Sequence, residues 1–196
     1  LGYVYKTQTQ DVAVFMATSG PGATNLVTGL ADAFLDSVPL VAITGQVASS
    51  HIGTDAFQEM DVIGMSLACT KHSYLVTEIE DLAPTLAEAF EVAKTGRPGP
   101  VIVDIAKDVQ LAQAPTELLP PFVPPAAPLV TDADIQRAQE VLAASTRPVL
   151  YVGGGVQIAK ATDSVREFLR LNPMPAVSTL KGCLLYTSDA ADDSIR

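Results

Sequence analysis

Short apolar runs alternate along the chain with longer stretches in which apolar residues recur at helical spacing. Runs rich in β-branched residues predict buried strands at 12–17, 38–45, 73–76 and 100–105. Apolar residues every third or fourth position predict helices after Asn25 and over 80–94, with Pro84 in the first turn, and a shorter helix over 59–66. Strands that alternate with helices predict an α/β fold, with a parallel sheet covered on both faces.

The pattern changes after residue 112. Prolines cluster at 115, 120, 121, 124, 125 and 128, which predicts a semi-rigid linker. A helix capped by Thr131 or Asp132 follows, and then a strand over 148–152, a helix over 158–169 and a further strand from 175. The glycines at 153–155 give this βαβ unit the local geometry of a nucleotide site, although it lacks the full fingerprint spacing and an acidic ribose partner.

The segment Thr18-Ser-Gly-Pro-Gly-Ala-Thr-Asn25, called the glycine loop below, joins the first strand to the first helix. Its glycines allow the backbone to approach a ligand closely, and the free N–H groups of the helix start suit polar or anionic groups. A tight turn without a ligand is the alternative interpretation. It is not a Walker loop, because no Lys-Ser/Thr pair follows the glycines.

Composition and charge exclude several classes of protein. The chain has 196 residues, is 48% hydrophobic and carries a net charge of −10, which predicts a globular protein without a nucleic-acid or anionic-membrane partner. Cys69 and Cys183 form no disulfide or zinc pattern, which favours a reduced, cytoplasmic protein. His51 and His72 are not at ligand spacing, so no metal site is predicted.

Both termini prompted an expectation. The chain starts at Leu1 without a Met, so we expect further residues upstream. Residues 183–196 do not continue the preceding pattern, and we interpret them as a non-native tail of the kind that translated sequencing adapter produces; an ordinary acidic tail is the alternative.

A few side chains stand out as candidates for binding. Phe57 and Gln58 place an aromatic ring beside an amide in a loop, where they could shape a small-substrate pocket. Lys107 follows the fourth strand, at the sheet edge where α/β proteins hold ligands, and Arg97 offers a forked donor. Each of these is a surface residue by default.

Several segments together resemble the large, catalytic subunits of the acetolactate synthase family, which depend on thiamine diphosphate. The segments follow the family's order through residue 182: ATSGPGATNL at 17–26, ITGQV at 43–47, IGTDAFQE at 52–59, CTKHS at 69–73, GRPGPV at 96–101, YVGGG at 151–155 and TLKG at 179–182. The glycine loop is common to many thiamine-diphosphate enzymes, whereas IGTDAFQE with TKHS is far more particular to this family.

The resemblance implies that residues 1–112 form a pyrimidine-binding domain that lacks its N-terminal part, and that 113–130 form the linker. Residues 131–182 would then be the start of a truncated, Rossmann-like FAD-binding domain, followed by the tail at 183–196. It assigns Thr18, Pro21, Asn25 and Gln58 to the thiamine diphosphate site. Phe57 and Lys107 match the substrate pocket. The flavin contacts match Arg97, Gly153, Gly154, Thr179 and Leu180.

The resemblance also implies an activity, which is the condensation of two 2-keto acids with loss of CO2. The substrates would be pyruvate with pyruvate or 2-ketobutyrate, the assembly a homodimer or homotetramer, and a small regulatory subunit a further candidate partner. The activating glutamate is expected upstream of Leu1 and the Mg²⁺ site beyond the chain, so these 196 residues alone are expected to be inactive. Alternatives are another thiamine-diphosphate enzyme such as pyruvate oxidase or another carboligase, a non-catalytic nucleotide-binding module, and a nonfunctional truncated gene product.

Overall fold

The computed structural model of the protein describes residues 11–113 and 129–185, with side chains through residue 182. The chain divides into two compact units, Leu1–Ala127 and Pro128–Arg196. The proline cluster of the predicted linker and residues 186–196 of the predicted tail lie outside the described residues.

A four-stranded parallel sheet forms the centre of the first unit. Its strands are β1 (Ala13–Ala17), β2 (Leu40–Gln46), β3 (His72–Val76) and β4 (Pro100–Ala106), in the order β1-β2-β4-β3. The predicted α/β class with a parallel sheet is therefore confirmed. The central strand β4 is buried along its whole length, because it has neighbours on both sides and helices cover both faces.

Helices pack on the two faces of this sheet. They are α1 (Pro21–Thr24), α2 (Val27–Leu35), α3 (Val62–Ser66), α4 (Ile79–Lys94) and α5 (Lys107–Leu111), with a 3-10 turn at Ser49–His51. Alternate side chains of β4 point to opposite faces, so Ile102 joins a core with Leu30 whereas Val101 and Val103 join a second core with Ala89.

Some details of the helices differ from the prediction. Pro84 does not lie in the first turn of α4, because that helix already begins at Ile79. The helix predicted over 59–66 begins only at Val62, since the Asp61 side chain caps it by accepting a hydrogen bond from the Gly64 N–H at 2.8 Å. Helix α5 had no signal in the apolar pattern.

The second unit holds a pair of parallel strands, β5 (Leu150–Val152) and β6 (Ala176–Ser178). Its helices are α6 (Asp132–Ala144), α7 (Gly155–Ile158) and α8 (Thr162–Leu171), followed by a 3-10 turn at Leu180–Leu185. The prediction of a single helix over 158–169 is wrong, because the left-handed backbone at Lys160, with φ 53°, separates α7 from α8. Of the two candidate caps of α6, Thr131 is the one used, in a capping box with Asp134.

Leu30 and Leu35 of helix α2 offer a matched test of this packing, because they are 0% and 74% exposed. We expect Leu30→Ala to lower the free energy of unfolding by about 2–5 kcal/mol, since it opens a cavity against the sheet. The control, Leu35→Ala, should change it by less than about 0.5 kcal/mol. Urea unfolding followed by circular dichroism measures both, and equal losses would contradict the assignment of the core face.

Candidate functional site

Three connections of the first unit leave the same edge of the sheet, because the strands that precede them are parallel. The glycine loop follows β1, a long loop over 47–61 follows β2, and Lys107 follows β4. The carboxyl edge of a parallel sheet is where open α/β folds bind their ligands.

The glycine loop makes a very close contact with the loop that follows β2. Gly20 has φ 55° and ψ −112°, a conformation that L side chains almost never adopt. A Cβ added to Gly20 would lie 2.7 Å from the Gln58 carbonyl oxygen and 3.0 Å from the Gln58 Cα. The structure thus brings Gln58 against the loop that carries Thr18, Pro21 and Asn25, and the side chains of these four predicted residues are all exposed.

The loop around Phe57 has an unusual backbone that one carboxylate stabilises. Gly53, Asp55 and Gln58 all have positive φ values, of 82°, 57° and 63°. The Glu59 carboxylate accepts hydrogen bonds from the backbone N–H groups of Gly53 and of Ala56, the latter at 3.0 Å, and these bonds hold the pKa of Glu59 below its usual value. Within this loop, Phe57 is 89% exposed.

Two sets of hydrogen bonds attach the same loop to the sheet. At its start, the Asp108 carboxylate accepts bonds from the Ser49 backbone N–H, at 3.0 Å, and from the Ser49 hydroxyl. At its end, the Gln46 Nε2 donates to the Met60 carbonyl at 2.7 Å. The loop over 47–61 is therefore fixed at both ends.

A buried carboxylate supports the Gln46 side chain. Asp104 is 1% exposed, and it accepts hydrogen bonds from Thr44 Oγ1 at 2.6 Å and from Gln46 Nε2 at 2.9 Å. Burial raises the pKa of Asp104 to about 6, against the two hydrogen bonds, which lower it. The ionised form is disfavoured there because the low-dielectric interior solvates charge poorly.

Lys107 lies at the carboxyl edge as the sequence predicts. It is the first residue of α5, its side chain is exposed, and its backbone N–H donates to the Val47 carbonyl at 3.4 Å. Gly45 lies between α5 and the glycine loop, since its added Cβ would come within 3.3 Å of Gln110 Nε2 and 3.6 Å of the Ser19 nitrogen. The loop after β1 and the helix after β4 are therefore close neighbours.

Arg97 lies at the opposite edge of the sheet and is occupied with a helix end. Its Nε donates to Ser37 Oγ at 2.8 Å, and its Nη2 donates to the carbonyls of Leu35 at 2.9 Å and Phe34 at 3.3 Å. These bonds satisfy the last carbonyls of α2, which have no partner within the helix. The structure therefore places Arg97 away from the four predicted thiamine diphosphate residues.

The remaining predicted flavin residues meet at one edge of the second unit. Gly153 and Gly154 follow β5, Thr179 and Leu180 follow β6, and the Thr179 N–H donates to the Val152 carbonyl at 2.8 Å. A Cβ added to Gly153 would meet nothing within 4 Å, so the backbone there is open to a ligand. An apolar groove of about 960 Å³ beside α6 is lined by other residues, among them Ile135, Leu142, Val149 and Phe168.

Over 11–113 and 129–185, no group of three or more His, Cys, Asp or Glu residues could hold a metal ion. None of the helices in that part of the chain has the length and apolar character needed to cross a membrane.

Comparison with known proteins adds to this geometry. Residues 2–65 match the family described as "Thiamine pyrophosphate enzyme, N-terminal TPP binding domain", and residues 135–191 match "Thiamine pyrophosphate enzyme, central domain". The chain belongs to the thiamine pyrophosphate enzymes. The first of these regions contains the whole glycine loop together with Gln58, so the contact described above lies within the cofactor-binding domain of the family.

The chain is also homologous to acetolactate synthase large subunits. It is 57% identical over 180 residues to the acetolactate synthase isozyme 2 large subunit of Escherichia coli K12, which is 91% of this chain and 32% of the relative. It is 51% identical over 181 residues to acetolactate synthase of Mycobacterium leprae, covering 90% of this chain and 29% of the relative. It is 44% identical over 191 residues to the acetolactate synthase large subunit of Porphyra purpurea, covering 95% of this chain and 32% of the relative. The resemblance in the sequence is confirmed, and the chain spans about a third of the length of these relatives.

Sequence reasoning missed the polar residues under the site. The sequence pattern assigns no role to Thr44 and Gln46, and it includes Asp104 in a predicted apolar strand. The available signal was an acidic residue inside the run Val-Ile-Val-Asp-Ile, since a buried carboxylate requires partners on neighbouring strands.

Gly20 and Gly29 form a matched pair for testing the loop contact. We expect Gly20→Ala to lower the free energy of unfolding by at least about 2 kcal/mol, because the new Cβ meets Gln58 and the backbone is strained. Gly29 lies within α2 with nothing within 4 Å of an added Cβ, so Gly29→Ala should raise stability by about 0.5–1 kcal/mol. Thermal unfolding of both variants decides this, and a neutral Gly20→Ala would refute the close approach.

Asp104 should make stability depend on pH in a defined window. Its pKa is about 6 in the folded chain and 3.8 in the reference state, so the folded chain binds its proton more tightly. Its contribution to the free energy of unfolding is therefore full below pH 4 and falls by roughly 3 kcal/mol as the pH rises to 6 and above. Urea unfolding at steps between pH 4 and 7 should show this fall, relative to Asp104→Asn, which retains an acceptor and cannot ionise. Parallel pH profiles of the two proteins would contradict it.

Proposed function

We propose that the chain forms part of an acetolactate synthase large subunit, in which it supplies one wall of the thiamine diphosphate site and part of the substrate pocket. The contact of the glycine loop with Gln58 is the observation that carries the proposal. It places four exposed residues at one edge of the sheet, within the region that matches the cofactor-binding domain. The relatives described above are all named acetolactate synthases, and this supports the choice of activity.

The reaction proposed for the whole protein joins two 2-keto acids. Two pyruvate ions and one proton give one acetolactate ion and one CO2, or 2-ketobutyrate takes the place of the second pyruvate. The carboxylate carbon of the first substrate leaves as CO2, and the electron pair released forms the new bond to the keto carbon of the second. Thiamine diphosphate supplies the electron sink for this decarboxylation when it is bound.

The residues of this chain fit the pyrimidine end of that cofactor. Because Gly20 has no side chain, Gln58 can lie against the glycine loop, which carries the exposed Thr18 and Asn25. The hydroxyl and amide groups of these residues can donate to or accept from ring substituents, and Pro21 fixes the first residue of α1. We assign these four residues to orientation of the cofactor and no proton transfer to any of them.

Phe57 and Lys107 are the proposed contacts with the 2-keto acid. The exposed Lys107 ammonium at the carboxyl edge would attract the substrate carboxylate by charge. The exposed Phe57 ring would form an apolar wall beside the alkyl group, because Glu59 holds its loop in a fixed backbone conformation.

The proposal extends to FAD, Mg²⁺ and partners. The open backbone at Gly153, next to Gly154, Thr179 and Leu180, suits a flavin nucleotide on the second unit. Arg97 keeps its Nη1 group for the flavin contact that the resemblance implies, since Nε donates to Ser37 and Nη2 donates to the last carbonyls of α2. We assign the Mg²⁺ ligands and the activating glutamate to parts of the full-length protein outside this chain.

The partners follow from the same proposal. Several relatives carry the name "large subunit", which supports a small regulatory subunit beside a homodimer or homotetramer of the large one. We place the complete protein in the cytoplasm. The two matched domains favour a thiamine-diphosphate enzyme over a non-catalytic nucleotide-binding module, and the acetolactate synthase relatives favour this activity over that of another thiamine-diphosphate enzyme.

The test of the function is a segment replacement. Residues 11–182 of this chain would replace the aligned segment of the Escherichia coli isozyme 2 large subunit, to which the chain is 57% identical. We expect acetolactate from pyruvate with thiamine diphosphate, Mg²⁺ and FAD, and none from the 196-residue chain alone under the same conditions. A folded but inactive hybrid, or turnover by the chain alone, would contradict the proposal.

Within that hybrid, Phe57→Ala should change the preference between pyruvate and 2-ketobutyrate. One methylene in an apolar pocket is worth about 1–3 kcal/mol of discrimination, so a shift of roughly tenfold or more in the product ratio is expected. The control is Leu67→Ala, which removes another exposed apolar side chain, 70% exposed, outside the proposed pocket. Competition between the two keto acids measures the ratio, and an unchanged ratio in Phe57→Ala would exclude Phe57 from the substrate pocket.

A further inference from the structure

The loop that carries Phe57 and Gln58 owes its placement on the sheet to a buried amide. Gln46 is 7% exposed, and its Oε1 accepts a hydrogen bond from the Val47 N–H at 2.9 Å. Its Nε2 donates to the Met60 carbonyl at 2.7 Å and to Asp104 Oδ2 at 2.9 Å. Both of these partners are acceptors, so only the NH2 group can face them and the orientation of the amide is determined.

Asp104 limits the freedom of that amide. Its Oδ2 accepts from Gln46 Nε2 at 2.9 Å, whereas its Oδ1 accepts separately from Thr44 Oγ1 at 2.6 Å. Asp104 lies in β4, which is buried along its whole length, so the chain of hydrogen bonds through Gln46 begins in the core of the unit. It ends at Met60, two residues after Gln58.

The loop over 47–61 has little room to move on the side that faces the glycine loop. An added Cβ on Gly20 would already lie 2.7 Å from the Gln58 oxygen, so a movement of the loop toward the glycine loop is blocked by backbone. A movement away from it would open the contact. The bond between Gln46 and Met60 is placed to resist that movement.

We propose that Gln46 and Asp104 are positioning residues for the loop that carries Phe57 and Gln58, and that they act through the hydrogen bond from Gln46 Nε2 to the Met60 carbonyl. Their relevance to the substrate pocket rests on the proposed function. The placement of the loop can be measured without cofactor or substrate, so failure of the proposed activity and failure of this inference are distinguishable.

The chain contains no tryptophan, and this permits a specific reporter. Phe57→Trp introduces a single indole at the 89% exposed position on the loop, where a larger ring meets little steric hindrance. Time-resolved fluorescence anisotropy of this variant of the 196-residue chain separates loop motion on the nanosecond scale from overall tumbling.

The variants are compared in the Phe57→Trp background. Gln46→Met keeps the length of the side chain but removes the Nε2 donor and the Oε1 acceptor of the Val47 N–H, and Asp104→Leu removes only the acceptor that orients the amide. We expect each to raise the amplitude of the fast anisotropy component about twofold or more. Asp104→Asn retains an acceptor for Gln46 and should restore the parent amplitude.

Thr44→Val is the matched control, because it breaks the other hydrogen bond of Asp104 and touches no part of the loop. It should lower the melting temperature while leaving the anisotropy decay unchanged. A purely structural role for the network would make mobility follow melting temperature across all variants, and that result would overturn the proposal. So would an unchanged decay in a folded Gln46→Met.

A measurement on the unmutated chain covers the case in which Gln46→Met does not fold. By NMR, the Nε2 protons of Gln46 should exchange with water at least about tenfold more slowly than those of an exposed glutamine such as Gln139, because both protons are engaged in hydrogen bonds, one of them buried and the other partly buried. Exchange as fast as that of Gln139 would refute the engagement of the amide and the proposal with it.

Discussion

The close approach of Gly20 to the Gln58 backbone is the constraint on which the candidate site depends. It leaves no room for a methyl group between two loops whose central residues are 38 positions apart in the sequence. Such a contact needs both loops to leave the same edge of the sheet, and the parallel pairing of β1 with β2 provides this. It also needs the second loop to hold a backbone with several positive φ values, which Glu59 stabilises. Sheet topology and one carboxylate together bring the candidate residues to one place.

Much of the fold could be predicted from the spacing of apolar residues. Strand β4 is buried on both faces and therefore appears in the sequence as a continuous apolar run, and Leu30 recurs at helical spacing because one face of α2 packs on the sheet. Periodicity failed where local hydrogen bonds decide the conformation. Asp61 delays the start of α3, and the left-handed Lys160 divides a predicted helix into two.

The candidate site was less predictable, because its contacts are not local. Gln46 and Asp104 are 58 positions apart, and their pairing follows from the register of β2 with β4, which no sequence pattern states. Arg97 shows the opposite problem. A resemblance to known sequences assigns it to a flavin, whereas in the structure its Nη2 donates to the last carbonyls of α2 and its Nε donates to Ser37, just after that helix. The two roles are compatible if the ligand binds the remaining Nη1 group.

The described residues of the second unit bury much less apolar surface than those of the first. None of the described residues of α6 or α8 is buried, and apolar residues such as Val141 and Tyr151 are 65% and 72% exposed. Burial of apolar surface is the main source of folding free energy. The described strands and helices of the second unit bury little apolar surface, so they gain little folding free energy from it.

The first unit has two cores and a fully buried central strand, and it also carries the residues proposed for the thiamine diphosphate site and the substrate pocket. A rigid scaffold under exposed loops is what precise positioning requires, because small displacements at a site cost far more in rate than in stability. The part of the chain best able to fix a ligand is therefore the part in which the candidate residues for that ligand occur.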